Sequence, residues 1–329
     1  MRLNKEHIWP IIGLVAVLFS AWLLVHQLRN ISFDDILVSL DAIPLHRWLL
    51  AAIATAVAYK ALAGYDSIAL KHLKKNIPWP FVAATSFTTY ALAHNIGASV
   101  ASGAVVRYRA YTSKGLNGAE VGVLVALCSF TFALGTILLA GLVLLIKPDL
   151  LQLLYDDPSP WVPYALSAFF LGLVLLYVIS SLLGLPSLKL GRFQVHYPAM
   201  SIVKRQLLIG PLELIGAAAI IYFALPAASN PGFLVVLGVF LASFSAALLS
   251  HAPGGLGVLE ALFLLALPDV NPADVIAALL VFRLFYLLIP FAISLIIILI
   301  FERNQLIKQF SLKRLQRRRA KNSSPTNNE

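Results

Sequence analysis

Charge is scarce in this chain. Only 12% of its 329 residues are Asp, Glu, Lys or Arg, while 60% are hydrophobic; a soluble domain carries about 25% charged residues. Mean hydropathy is +0.85. No fold of this length could hide so much apolar surface from water, so lipid has to be the solvent. A soluble domain is missing too, since the longest hydrophilic stretch is 303–329. Cysteine is nearly absent: Cys128 stands alone, which excludes an intrachain disulfide and a Cys/His metal cluster. There is no Walker A sequence, so ATP-driven pumping by this chain alone is not expected. Neither a serine nucleophile elbow nor a His-Glu-x-x-His zinc motif occurs. Catalysis and a cofactor are therefore not expected. The net charge of +10 does not signal nucleic acid, because the basic residues lie in short clusters between apolar runs, as in the cytoplasmic loops of membrane proteins.

What is present is apolar sequence in blocks long enough to cross a bilayer, which takes about 20 residues. Such runs cover 8–27, 47–70, 119–146, 162–184, 206–226 and 273–300. No small-x-small site follows the first run, so a retained helix is expected rather than a cleaved signal. Two further apolar regions are broken. Region 80–106 is interrupted around Gly97–Gly103, and region 232–267 at His251–Gly257. If the six long runs cross and both broken regions dip in and return, 20 of the 25 Lys and Arg fall on one side. By the positive-inside rule that side is cytoplasmic and holds both termini. The expected fold is therefore all-α and polytopic, with six full transmembrane helices and two re-entrant hairpins.

In this threading 47–146 and 206–300 each read as span, hairpin, span, in opposite orientations. That is an inverted repeat, a frequent plan in secondary transporters. The membrane domain is expected over 1–302, followed by a basic tail, 303–329, that serves as a topology anchor. Residues 31–43 suit a short interfacial helix with Phe33, Ile36, Leu37 and Leu40 near one face.

Polar residues within such runs are the candidates for chemistry. The first broken region carries small residues, including Ser99 and Ser102, and ends in Val106-Arg107-Tyr108-Arg109-Ala110-Tyr111. Two arginines flanked by tyrosines can clamp a phosphate through forked hydrogen bonds. They serve equally as a plain positive-inside anchor. The second broken region is Pro253-Gly254-Gly255-Leu256-Gly257-Val258-Leu259-Glu260. Its proline and glycines stop one helix, and the next starts with free N–H groups that favour an anion. Glu260 lies in that first turn. It either caps the helix or faces a cavity, carrying protons or pairing with a cation. Arg283 sits mid-run and needs a partner, for which Glu260 is the nearest acid and Glu213 the second. Asp66 and Glu120 lie near run ends and are expected at the interface.

These elements resemble a known family. Residues 97–116, with Arg107-Tyr108-Arg109-Ala110-Tyr111, are similar to the Arg-Tyr-Arg-x-Tyr element of the MprF flippase region, the lysylphosphatidylglycerol synthase transmembrane domain. Pro253–Glu260 resembles its Pro-(Gly/Ala)-Gly-x-Gly-x-x-Glu turn, and Ala278–Pro290, with Tyr286, its last-span motif. In length the chain looks most like the stand-alone YbhN-like inner-membrane proteins. The resemblance implies a lipid translocator of the bacterial inner membrane that handles anionic or aminoacylated phospholipid. It makes Arg107, Arg109, Glu260 and Arg283 the central residues. An aminoacyl-transferase domain is not seen before Glu329, so synthesis of lysyl-lipid is not expected.

Membrane phospholipids are the expected partners, with a second copy of the chain or an envelope-synthesis enzyme as further candidates. Two other functions fit the same sequence: a secondary transporter of a soluble solute, and a non-transporting membrane partner of an envelope-synthesis enzyme.

Overall fold

A computed structural model describes residues 32–96, 99–153, 159–184, 188–190, 193–195, 198–250, 253–301 and 303. The expected first span, 8–27, and nearly all of the basic tail lie outside them. Among the described residues ten α-helices follow one another: α1 (Phe33–Asp41), α2 (Leu45–His72), α3 (Trp79–Ile96), α4 (Ser99–Thr112), α5 (Gly118–Ile146), α6 (Val162–Leu182), α7 (Met200–Ala224), α8 (Phe233–Ser250), α9 (Val258–Ala266) and α10 (Pro272–Phe301). An antiparallel pair, β1 (Leu188–Leu190) and β2 (Phe193–Val195), lies in the α6–α7 connection.

Among the described residues six helices are long and apolar enough to cross a membrane: α2, α5, α6, α7, α8 and α10. Five coincide with runs read from the sequence. The sixth, α8, comes from the second broken region, whose 18 helical residues reach about 27 Å at 1.5 Å per residue. The break in that region falls within the segment read from the sequence, His251–Gly257: α8 ends at Ser250 and α9 starts at Val258. Pro253–Gly255 form a single 3-10 turn, and Gly254, Gly255 and Gly257 have φ of 60°, 65° and 80°. A side chain is strained in that left-handed region, so glycine permits the turn.

The polarity is that of a membrane protein. Leu175, Leu176, Phe169, Ile296 and Leu299 are all more than half exposed. Asp66, Arg107, Gln206, Glu213 and Glu260 are buried. With lipid outside there is little hydrophobic drive between helices, so close backbone contact and hydrogen bonds hold them together. The α2–α7 pairing is the most extensive in the molecule. Gly216 of α7 lies against the backbone of Ala54 and Ala58 in α2. Gly210 of α7 meets Gly135 of α5 so closely that a Cβ on Gly135 would stand 2.6 Å from the Gly210 carbonyl carbon. Gln206 adds polar ties: it accepts from Tyr177 of α6 at 2.7 Å and donates to Thr131 of α5 at 3.0 Å.

Helix α1 forms where the interfacial helix was expected. Ser32 caps it, accepting from the Asp35 N–H, while Asp35 accepts from the Ser32 N–H. Ile36 and Leu40 pack inward, whereas Phe33 and Leu37 are exposed.

Candidate functional site

Two helical hairpins touch one another. Helices α3 and α4 form the first, α8 and α9 the second. The end of α3 reaches the Pro253–Gly255 turn, and Asn95 donates to the Leu287 carbonyl of α10 at 3.1 Å. A cavity of about 540 Å³ is lined by the first hairpin together with α2, α5, α7 and α8. Its polar lining includes His94 on α3, Arg107 on α4 and Glu213 on α7, and its aromatic wall includes Tyr90, Phe132 and Phe244. Val100 and Leu249 at its edge are 58% and 67% exposed.

Arg107 does not project freely into this space. Its Nε and Nη2 both donate to Asp66 of α2, at 3.2 and 2.7 Å to Oδ1. Asp66 also accepts from Tyr111 at 2.7 Å and from the Cys128 thiol at 3.4 Å. The guanidinium lies 4.8 Å over the Tyr90 ring, a cation–π contact that strengthens when water is excluded. Asp66 is wholly buried, which corrects the expectation of an interfacial residue. It sits six residues from the end of α2, but α4 and α5 cover it there.

Arg109 is elsewhere. It lines a separate cavity of about 250 Å³ with Phe81, Val105 and the α10 residues Ile297 and Phe301. The physical reason is that 99–112 is one continuous helix, and residues two apart on a helix point to different faces. The two arginines therefore do not form one clamp. Tyr108 is exposed, Ser102 is half-buried on α4, and Ser99 opens that helix.

In the second hairpin Glu260 both caps its helix and pairs with a cation. One carboxylate oxygen accepts from the Gly257 N–H at 2.9 Å, capping α9. The other accepts from Arg283 Nε at 2.6 Å within an ion pair. Arg283 Nη1 donates to the Gly254 carbonyl at 2.9 Å. The arginine thus clasps both sides of the glycine turn to α10. Glu260 and Arg283 do not line the central cavity.

Arg283 begins a π-helical stretch, Arg283–Leu288. Such bulges re-aim side chains and are frequent at functional sites. Tyr286 within it is fully buried and donates to Glu213 at 2.5 Å, while its carbonyl accepts from Tyr59. Tyr65 donates to the other Glu213 oxygen at 3.4 Å. The His94 ring stacks on Tyr286, centroids 5.3 Å apart.

Of the residues singled out in the sequence, Arg107 and Tyr111 come together on Asp66, and Glu260 and Arg283 come together at the glycine turn, whereas His94, Tyr65 and Gln206 were not singled out. Partners stand 41 residues apart for Asp66–Arg107 and 148 for Tyr65–Glu213, and no local spacing reports such a distance. The cue within reach was that an intramembrane arginine needs an acid. Among the described residues, no three His, Cys, Asp or Glu side chains gather where they could hold a metal.

An apolar exterior around these buried charges defines a multi-pass membrane protein. Residues 12–294 match the family of the lysylphosphatidylglycerol synthase TM region, and the chain belongs to it. It is 26% identical over 280 residues to "Uncharacterized protein slr0712" of Synechocystis, covering 85% of this chain and 87% of that one. It is 31% identical over 264 residues to the inner membrane protein YbhN of Escherichia coli K12, covering 77% of this chain and 80% of that protein. A phosphatidylglycerol lysyltransferase of Staphylococcus haemolyticus is 28% identical over 291 residues. That match covers 86% of this chain but only 33% of the lysyltransferase.

Proposed function

We propose that this protein is a lipid translocator of a bacterial inner membrane, admitting an anionic or aminoacylated phospholipid headgroup to the central cavity while the acyl chains stay in lipid. The observation that carries this reading is the cavity itself. Its interior presents Arg107, His94 and Glu213, and its edge presents the exposed apolar residues Val100 and Leu249. A largely apolar space with a few buried polar groups in its wall and an apolar mouth suits an amphiphile better than a soluble solute. Family membership supports it, through the match to a phosphatidylglycerol lysyltransferase and to an inner membrane protein. The matched region is a transmembrane region, and the role is transport, not catalysis.

The second legs of the hairpins, α4 and α9, have 14 and 9 residues. At 1.5 Å per residue they are about 21 and 14 Å long, short of the ~30 Å hydrocarbon core. That favours re-entrant hairpins entering from opposite sides, arranged as an inverted repeat, with both termini cytoplasmic. Non-helical backbone such as the 253–257 turn is tolerated at membrane depth only inside protein or beside water. Arg107, held in an ion pair by Asp66, is a fixed donor in the cavity wall rather than a movable clamp. Arg109 serves a separate pocket.

The test is lipid movement in vesicles containing only this protein, using fluorescent phosphatidylglycerol and a zwitterionic control. Ala101 lines the cavity and is itself exposed, so Ala101→Trp plugs the space without disturbing the core. Faster movement in wild type, abolished in folded Ala101→Trp, is the expected result. Solute flux without lipid movement would move the protein to the solute transporters. Inertness of folded, inserted protein would leave the role of a membrane partner to an envelope-synthesis enzyme.

A further inference from the structure

The central cavity holds one carboxylate that no cation neutralises. Glu213 is 1% exposed and lines the cavity. Asp66 and Glu260 each hold an arginine; among the described residues Glu213 holds none, only the hydroxyls of Tyr286 and Tyr65. The titratable groups around it come from five other helices: Tyr59, Tyr65 and Asp66 on α2, Tyr90 and His94 on α3, Arg107 on α4, Cys128 on α5 and Tyr286 on α10. Arg107 is the one cation in this set, and Asp66 occupies it. His94 is a second group left open: its Nδ1 is buried without a partner, and the ring faces the same cavity.

An ionised carboxylate buried without a cation is strongly disfavoured, whereas the neutral acid is tolerated. The Tyr286 phenol, which donates to one carboxylate oxygen, favours the ionised form instead, so both states have support. The cavity, at about 540 Å³, has ample room for waters of about 30 Å³ each. We propose that Glu213 is a reversible proton-binding site of the central cavity, which the unpartnered His94 also lines. A hydronium ion in the cavity gives its proton to a carboxylate oxygen of Glu213 and becomes neutral water; release is the reverse. No other bond forms or breaks, apart from the hydrogen bonds of Tyr286 and Tyr65. Tyr286 stands three residues from Arg283, so proton occupancy reaches the helix that clasps the second hairpin. Coupling of this proton to lipid movement rests on the function proposed above; the proton site itself does not.

Infrared difference spectra of the purified protein, recorded against pH, read protonated carboxyl groups whatever the protein transports. A buried carboxylic acid band that titrates in wild type is expected to vanish in Glu213→Gln and to persist in Glu260→Gln. In Tyr286→Phe the ring remains but the donor to the ionised form is gone. Proton affinity should then rise about tenfold, the effect of losing one hydrogen bond to a charged group. Folded wild type without a titrating carboxyl band would overturn the proposal, as would a band that survives Glu213→Gln. If Glu213→Gln fails to fold, an unshifted midpoint in Tyr286→Phe overturns it equally. In vesicles, Glu213→Gln should abolish any acceleration by a pH gradient. A titrating Glu213 band in a protein that moves no lipid would uphold the proton site and remove the lipid reading.

Discussion

Asp66 and Glu213 hold comparable places, yet their surroundings differ. Each lies in the second half of a long helix that leads into a hairpin, α2 before α3–α4 and α7 before α8–α9. In the first case the second leg of the hairpin carries Arg107, which reaches back to Asp66. In the second case that leg carries Glu260, which turns to Arg283 on the following helix. One acid is therefore locked by a cation and the other faces the cavity with phenols alone. Similar architecture with the sign reversed on one leg separates a structural carboxylate from one free to exchange a proton.

Substitutions that break this contrast should differ in size. Arg107→Ala leaves Asp66 buried beside only Tyr111 and Cys128, and should cost about 3–5 kcal/mol of stability in detergent unfolding. Glu260→Gln keeps a cap for Gly257 but loses charge toward Arg283, and should cost about 1.5–3 kcal/mol in the same measurement. Glu213→Gln, which removes no ion pair, should cost about 1 kcal/mol or less. A loss there as large as that of Arg107→Ala would erase the distinction between the two acids. The smallest effect lies outside both hairpins. The Ser32 N–H holds the Asp35 carboxyl below its ordinary value of 3.8. A depressed value means that the cap contributes above that pH and is lost as pH falls through it. Hydrogen exchange of α1 amides should thus quicken in acid before that of α2.

Apolar run length made most of the fold legible, because length and composition suffice to mark a spanning helix. Helix α8 was the exception. A glycine turn after Ser250 drew the whole of 232–267 into one broken region, although 233–250 is a complete helix. The Arg283–Glu260 pair was within reach because both residues lie within 23 positions. The supposed Arg107–Arg109 clamp failed because small residues at 97–104 suggested irregular backbone, whereas Ser99–Thr112 is helical and sends the two arginines apart. Asp66 looked peripheral since sequence position near a helix end says nothing of which neighbours cover it.

Where Gly135 and Gly210 touch, α5 and α7 have backbone against backbone, with no side chain to act as a cushion. Three residues beyond Gly210 stands Glu213, and four before it Gln206, tied to Thr131 on the opposite helix. A lone methyl group placed at Gly135 would act as a wedge, driving the two helices apart and tilting the wall that carries the cavity's unpaired acid. The part of this protein least tolerant of added bulk is thus one with no chemistry of its own, because it sets the spacing on which the chemistry depends.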